Sequence, residues 1–166
     1  TTDLEASDEL VKFWTGKLEV LKQRISNLFS GLPPSLKLEL NTNLREILTL
    51  DYSKDSADLK QVFDLCLDII TEANEFHQSI HLLTEVNDLG DGQRIEFSVV
   101  YLGLSGGYYF SEKSGLAGSI LREGNSWKWQ EDTGLLEDLV SLGALLSGQE
   151  APRYLALPMP VEGGAQ

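Results

Sequence analysis

The hydrophobic period of this chain changes near His77, and that change constrains the fold more than any other feature. Upstream, apolar residues recur every three and four positions, the spacing of one helix face; downstream they alternate every second position, the spacing of one strand face. A pattern written for one period does not suit the other, so the chain reads as helical in its first half and antiparallel β in its second, an α+β protein.

The helical half divides into three segments. Leu4, Val11, Leu18 and Ile25 recur every seven residues, and Ser7, Trp14, Leu21 and Leu28 fill the second seam position, the pattern of a coiled coil. Gly16 falls opposite the seam, and Gly31, Pro33 and Pro34 end the helix. A shorter helix follows, with Leu36, Leu40, Leu44 and Ile47 on one face. Asp51 to Asp55 reads as a loop, and Asp55 or Ser56 is placed to cap a third helix lined by Val62, Cys66, Ile69, Ala73 and Phe76. The expectation is an antiparallel, coiled-coil-like helical arm over residues 1–78.

Residues 79–150 are expected to form a small antiparallel sheet with a C-terminal helix packed on it. The strands read as Ile80 to Val86, Arg94 to Leu102, Tyr108 to Ser111, Leu116 to Arg122 and Ser126 to Gln130, with turns at Asn87–Gly92 and Glu123–Asn125. The run Arg94 to Leu102 is almost uncharged and β-branched, which suits a central strand and leaves the edges to the first and last. Asp132 or Thr133 can cap the last helix, whose apolar side holds Leu135, Leu136, Leu139, Leu142, Leu145 and Leu146. Residues 151–166 are rich in Pro and Gly and read as an extended surface tail.

Composition removes several functions. Twenty-six acidic against 13 basic residues leave a formal net charge of −13, and no basic block interrupts it. Phosphate backbones and anionic lipids are held by clustered Lys and Arg, so nucleic acid is not an expected partner, nor is an anionic membrane surface. No stretch approaches the roughly 18 apolar residues that span a bilayer. The single cysteine allows no internal disulfide. No signal peptide is seen; the chain starts Thr1-Thr2 without an initiator Met and reads as a mature product or a fragment.

Candidate chemistry is sparse. Gly103-Leu104-Ser105-Gly106-Gly107 matches the GxSxG nucleophile elbow, but that motif works on a strand–turn–helix, and Tyr108-Tyr109-Phe110 continues as strand. His77 and His81 are four apart, with Glu72 or Glu85 near, yet they straddle the helix-to-strand change and fall short of a zinc ligand set. Cys66 lies among apolar neighbours, where a thiol is inert. Trp127 and Trp129 share one strand face and read as cover for the sheet rather than a sugar or peptide platform. No phosphate-binding loop is present. No catalytic, cofactor-binding or metal-binding residue is therefore assigned, no cofactor is expected, and the chain is expected not to be an enzyme.

The second half resembles a family of uncharacterised periplasmic bacterial proteins with an N-terminal coiled coil, encoded beside the ExbB, ExbD and TonB components of outer-membrane energy transduction. The residues that carry the resemblance are Tyr108-Tyr109, Gly118-Ser119-Ile120, Trp127, the helix from Leu135 to Leu146, and Leu157-Pro158. Tyr101 and Leu104 stand where the family usually has arginines, and no aromatic follows Gly118, so the chain looks like a divergent, N-terminally truncated member. The resemblance implies a non-catalytic periplasmic accessory or scaffold of a TonB–ExbB–ExbD-type system. Its partners would be envelope proteins, with homo-oligomerisation through the N-terminal heptads. The other expectation from the residues is a cell-envelope sensor or small-ligand-binding module.

Overall fold

A computed structural model describes residues 2–51 and 56–160. The fold is α+β, with helices α1 (Thr2–Ser30), α2 (Pro34–Thr49) and α3 (Ser56–His77), then strands β1 (Ile80–Asp88), β2 (Arg94–Leu102), β3 (Gly106–Ser111), β4 (Leu116–Glu123) and β5 (Ser126–Glu131). A 3-10 turn at Thr133–Leu135 leads into the last helix, α4 (Leu136–Leu146). The chain separates into two compact units, residues 1–74 and 75–166, each described by itself below.

In the first unit the sequence punctuation works as expected. α1 closes in a tightened turn, Gly31 N–H donating to Leu28 O and Leu32 N–H to Phe29 O, both at 3.1 Å. Pro34 opens α2, where its missing N–H costs nothing. α2 buries Leu36, Leu40 and Ile47, while Leu44 is half-buried. Val62, Cys66, Ile69 and Ala73, read into α3, are buried; the fifth such position, Phe76, is buried too and belongs to the second unit. The heptad of α1 fares differently. Leu18 and Ile25 are buried and Val11, Leu21 and Leu28 half-buried, but Trp14 is 49% exposed. The side chains of Leu4 and Ser7, and residues 52–55 of the expected loop with Asp55, lie outside the described residues.

The second unit is a five-stranded antiparallel meander in the order β1-β2-β3-β4-β5. β2 is an inner strand, as its run of β-branched and aromatic residues suggests, and β1 and β5 are the edges. The register sets Val100 opposite Tyr108 and Ser98 opposite Phe110, with Phe110 opposite Ala117, so these side chains share one face. α4 packs there: Leu139 is fully buried among Val100, Tyr108, Phe110 and Ala117. Gly143 sets how close the helix comes, since a Cβ there would lie 2.7 Å from Phe110 Cζ. Asp132 accepts from Gly134 N–H at 3.1 Å and starts the 3-10 turn. Leu146, expected on the apolar side, is exposed, because it lies past the last turn that reaches the sheet.

The opposite face is aromatic. Phe97, Val99, Tyr101, Tyr109 and Ile120 are buried there. Trp129 tilts over Tyr109 at 4.4 Å between centroids and meets Phe97 edge-on at 5.5 Å, while Trp127 meets Tyr101 at 5.3 Å. The two tryptophans are half-buried and spend their faces on the sheet's own rings. From residue 151 the chain has no helix or strand as far as Pro160. It is nevertheless tied down: Tyr108 Oη donates to Pro158 O at 2.6 Å and Leu157 packs against the α4 cluster.

Candidate functional site

The GxSxG segment is a hairpin turn between β2 and β3. Gly103 takes φ +58 and a Cβ there would run into the His77 carbonyl, so the turn needs glycine. Gly103 N–H donates to Ser79 O at 3.0 Å, Leu104 N–H to His77 Nδ1 at 3.2 Å, and Arg122 Nη1 to Leu104 O at 3.4 Å. Ser105 is exposed on a strand–turn–strand, and the strained entry into a helix that exposes a nucleophile is not there.

The histidines do not converge. His77 ends α3 with Nδ1 on Leu104, whereas His81, in β1, stacks on Phe76 at 3.9 Å with Nε2 3.0 Å from Phe76 O. Among the described residues no group of three His, Cys, Asp or Glu side chains is placed to hold a metal. Cys66 is fully buried, and burial pushes its thiol pKa up, with the charge of Lys22 pulling the other way. Tyr101 Oη donates to the part-buried carboxylate of Glu85, 3.0 and 3.1 Å to its two oxygens. Burial raises Glu85 against the opposing hydrogen bond, and burial with the Glu85 charge raises Tyr101. A neutral phenol beside a partly buried carboxyl makes an internal hydrogen bond of the aromatic face.

The arrangement that faces outward lies in the first unit. α1 carries a second apolar stripe beside its buried one: Leu10, Phe13, Trp14 and Val20 are each about half exposed or more. α3 carries Phe63, Leu67 and Ile70, also exposed, next to its buried Val62, Cys66 and Ile69. Between them runs a half-open groove of about 350 Å³ lined by Trp14, Lys17, Leu18, Leu21, Leu59, Lys60 and Phe63. Lys60 is taken by Asp64 at 2.6 Å. The Lys17 ammonium stands 5.4 Å from the Phe13 ring centre and has no carboxylate partner among the described residues. Soluble proteins rarely leave contiguous apolar stripes in water, and where they do the stripes mark interaction sites. Three of the groove's lining residues, Trp14, Leu18 and Leu21, are heptad seam positions, but heptad reading did not show the groove they form with α3. Its signal was in the sequence, in Leu10-Phe13-Lys17-Leu21 and Leu59-Phe63-Leu67-Ile70 at three- and four-residue spacing, but a periodicity does not say which of two stripes is buried.

No helix among the described residues is long and apolar enough to cross a membrane. Comparison with known proteins finds no family model, no curated protein and no solved structure that matches this chain.

Proposed function

We propose that this chain is a non-catalytic protein-binding part whose helical unit docks a protein partner along the α1–α3 groove. The observation that carries the reading is the pair of exposed apolar stripes, from Leu10 to Val20 and from Phe63 to Ile70, which nothing in the described chain covers. The resemblance of the second half supplies the setting we propose, an accessory or scaffold of a TonB–ExbB–ExbD-type system in the periplasm. A small-ligand module is the second reading. In its favour the groove volume falls at the low end of small-molecule sites, about 300–1,000 Å³. Against it, the groove is open along one side and its apolar walls continue past both ends, as protein interfaces do.

The test is a photo-cross-linking residue at position 63 in cells of the native host, with the same residue at Lys113 as a control in the other unit. A discrete adduct with one envelope protein from position 63 alone is the expected result. Adducts only with cytoplasmic proteins would overturn the compartment. No site-specific adduct at position 63 would overturn the docking role.

A further inference from the structure

Trp14, Lys17, Leu18 and Leu21 of α1 and Leu59, Lys60 and Phe63 of α3 line the groove together. Two helices that line one groove leave a furrow of the shape a further helix fills, with its side-chain ridge entering between theirs. From Leu10 to Leu21 the α1 wall is 12 residues, a rise of about 16 Å at 1.5 Å per residue, so about three turns of a partner can be seated. Exposed apolar anchors at three- and four-residue spacing on both walls are the receiving side of helix-in-groove recognition. An acyl chain or single small molecule has no use for walls that continue to Leu10 at one end and Ile70 at the other.

The charges choose among helices. Lys60 is already neutralised by Asp64, whereas Lys17, halfway along the α1 stripe between Trp14 and Leu21, has no carboxylate partner among the described residues. A helix laid in the furrow meets that ammonium with the middle of its own stripe. A second copy of this chain is a poor occupant. An isologous antiparallel pairing of the α1 stripes would bring two copies of Lys17 together at the two-fold axis, and would join two chains each carrying −13. Resting on the protein-binding reading above, we infer that the partner is an amphipathic helix of a different protein, apolar along one stripe and bearing a carboxylate at that stripe's centre, which pairs with Lys17.

The experiment uses the full chain and two fluorescent peptides of about 18 residues, five helical turns. Each has Leu at three- and four-residue spacing, with Glu at the stripe centre in one and Lys in the other; binding is read by anisotropy at low and high salt. The wild type is expected to bind the Glu peptide about five- to tenfold more tightly than the Lys peptide, a preference that shrinks with salt. Lys17→Glu should invert the preference, and Lys60→Ala should leave it unchanged. Both sites are exposed, and circular dichroism checks that the variants stay folded. Equal binding of the two peptides, or a preference that Lys17→Glu does not move, overturns the inference. So does a wild type that sediments as a dimer dispersed by Phe63→Asp, which would give the groove to a second copy, or one that binds palmitate but neither peptide. If neither peptide binds while the site-specific cross-link at position 63 persists, this partner chemistry fails and the protein-docking reading stands. Loss of both removes both.

Discussion

Tyr109 is fully buried with its ring against Phe97 and Trp129, yet its hydroxyl meets no hydrogen-bond partner among the described residues. Burial, and after it the charge of Glu131, push its pKa up to about 12, so it stays a neutral phenol at ordinary pH. An unsatisfied buried hydroxyl is a standing cost of about 1–3 kcal/mol. Tyr109→Phe is therefore expected to stabilise the protein by about 1 kcal/mol, seen as a higher urea midpoint at unchanged slope; a lower midpoint would reveal a partner for the hydroxyl. Glu85 works in the opposite sense to a surface acid. Its folded-state pKa is raised, mainly by burial, so the native state holds the proton more tightly than the unfolded chain. Its contribution is favourable below the ordinary carboxylate pKa and is lost as pH rises through the raised value. Glu85→Gln, which can still accept from Tyr101, should be more stable than wild type at pH 7, with the gap closing toward pH 4. Equal curves at both ends would show Glu85 to be solvated. Ser105 sits on a hairpin turn, and a fluorophosphonate probe is expected to leave it unlabelled; labelling abolished by Ser105→Ala would reinstate a nucleophile.

Elements are held here by close approach as much as by area. α4 descends onto the sheet at Gly143, where there is no room for a side chain above Phe110. In an exposed helix, replacing glycine with a larger residue usually helps. At Gly143 the packing term has the other sign, and Gly143→Val should cost about 1–3 kcal/mol through overpacking, with the α4 end of the sheet losing hydrogen-exchange protection first. α1 shows how one helix can serve two masters. Of its heptad seam, Leu18 and Ile25 are buried within the chain, Val11, Leu21 and Leu28 are half-buried, and Trp14 stays 49% exposed. What α1 offers outward is the neighbouring stripe at Leu10, Phe13 and Trp14, about half exposed. Changing Trp14 and Phe63 together to Asp should therefore barely move the thermal midpoint while removing binding to any groove partner. A collapse of helical signal would show those side chains to be core.

For the molecule as a whole, net charge sets the rules of association. At −13 the chain repels its own copies at long range, an effect that fades beyond about 10 Å at 0.1 M salt. The isolated protein is expected to sediment as a monomer at low salt. A concentration-dependent dimer under those conditions would mean that apolar burial of the α1 and α3 stripes overcomes the repulsion. The same acidity leaves duplex DNA without a cationic track to follow, and no salt-dependent retention on a DNA column is expected.

The order of helices, the five strands and the turns between them were legible from the residues because they are local. Period three-and-four as far as Phe76, period two from Ile80, Pro33-Pro34 after Gly31 and glycine at the hairpins each act through the backbone within a few positions. The inner place of β2 was also legible, since a run rich in β-branched and aromatic residues sits badly at an exposed edge. Other features depended on what lies across the fold. Both stripes of α1 have helical spacing, and only the neighbouring helices decide that Leu18 turns inward while Trp14 stays in water. Glu85 and Tyr101, 16 residues apart, become a hydrogen-bonded pair only through the β1–β2 register. The tail's anchor, Pro158 O on Tyr108, joins residues 50 apart that no periodicity connects. Burial is a property of the neighbours a side chain acquires, so which apolar stripe lines the open groove was decided by the tertiary structure.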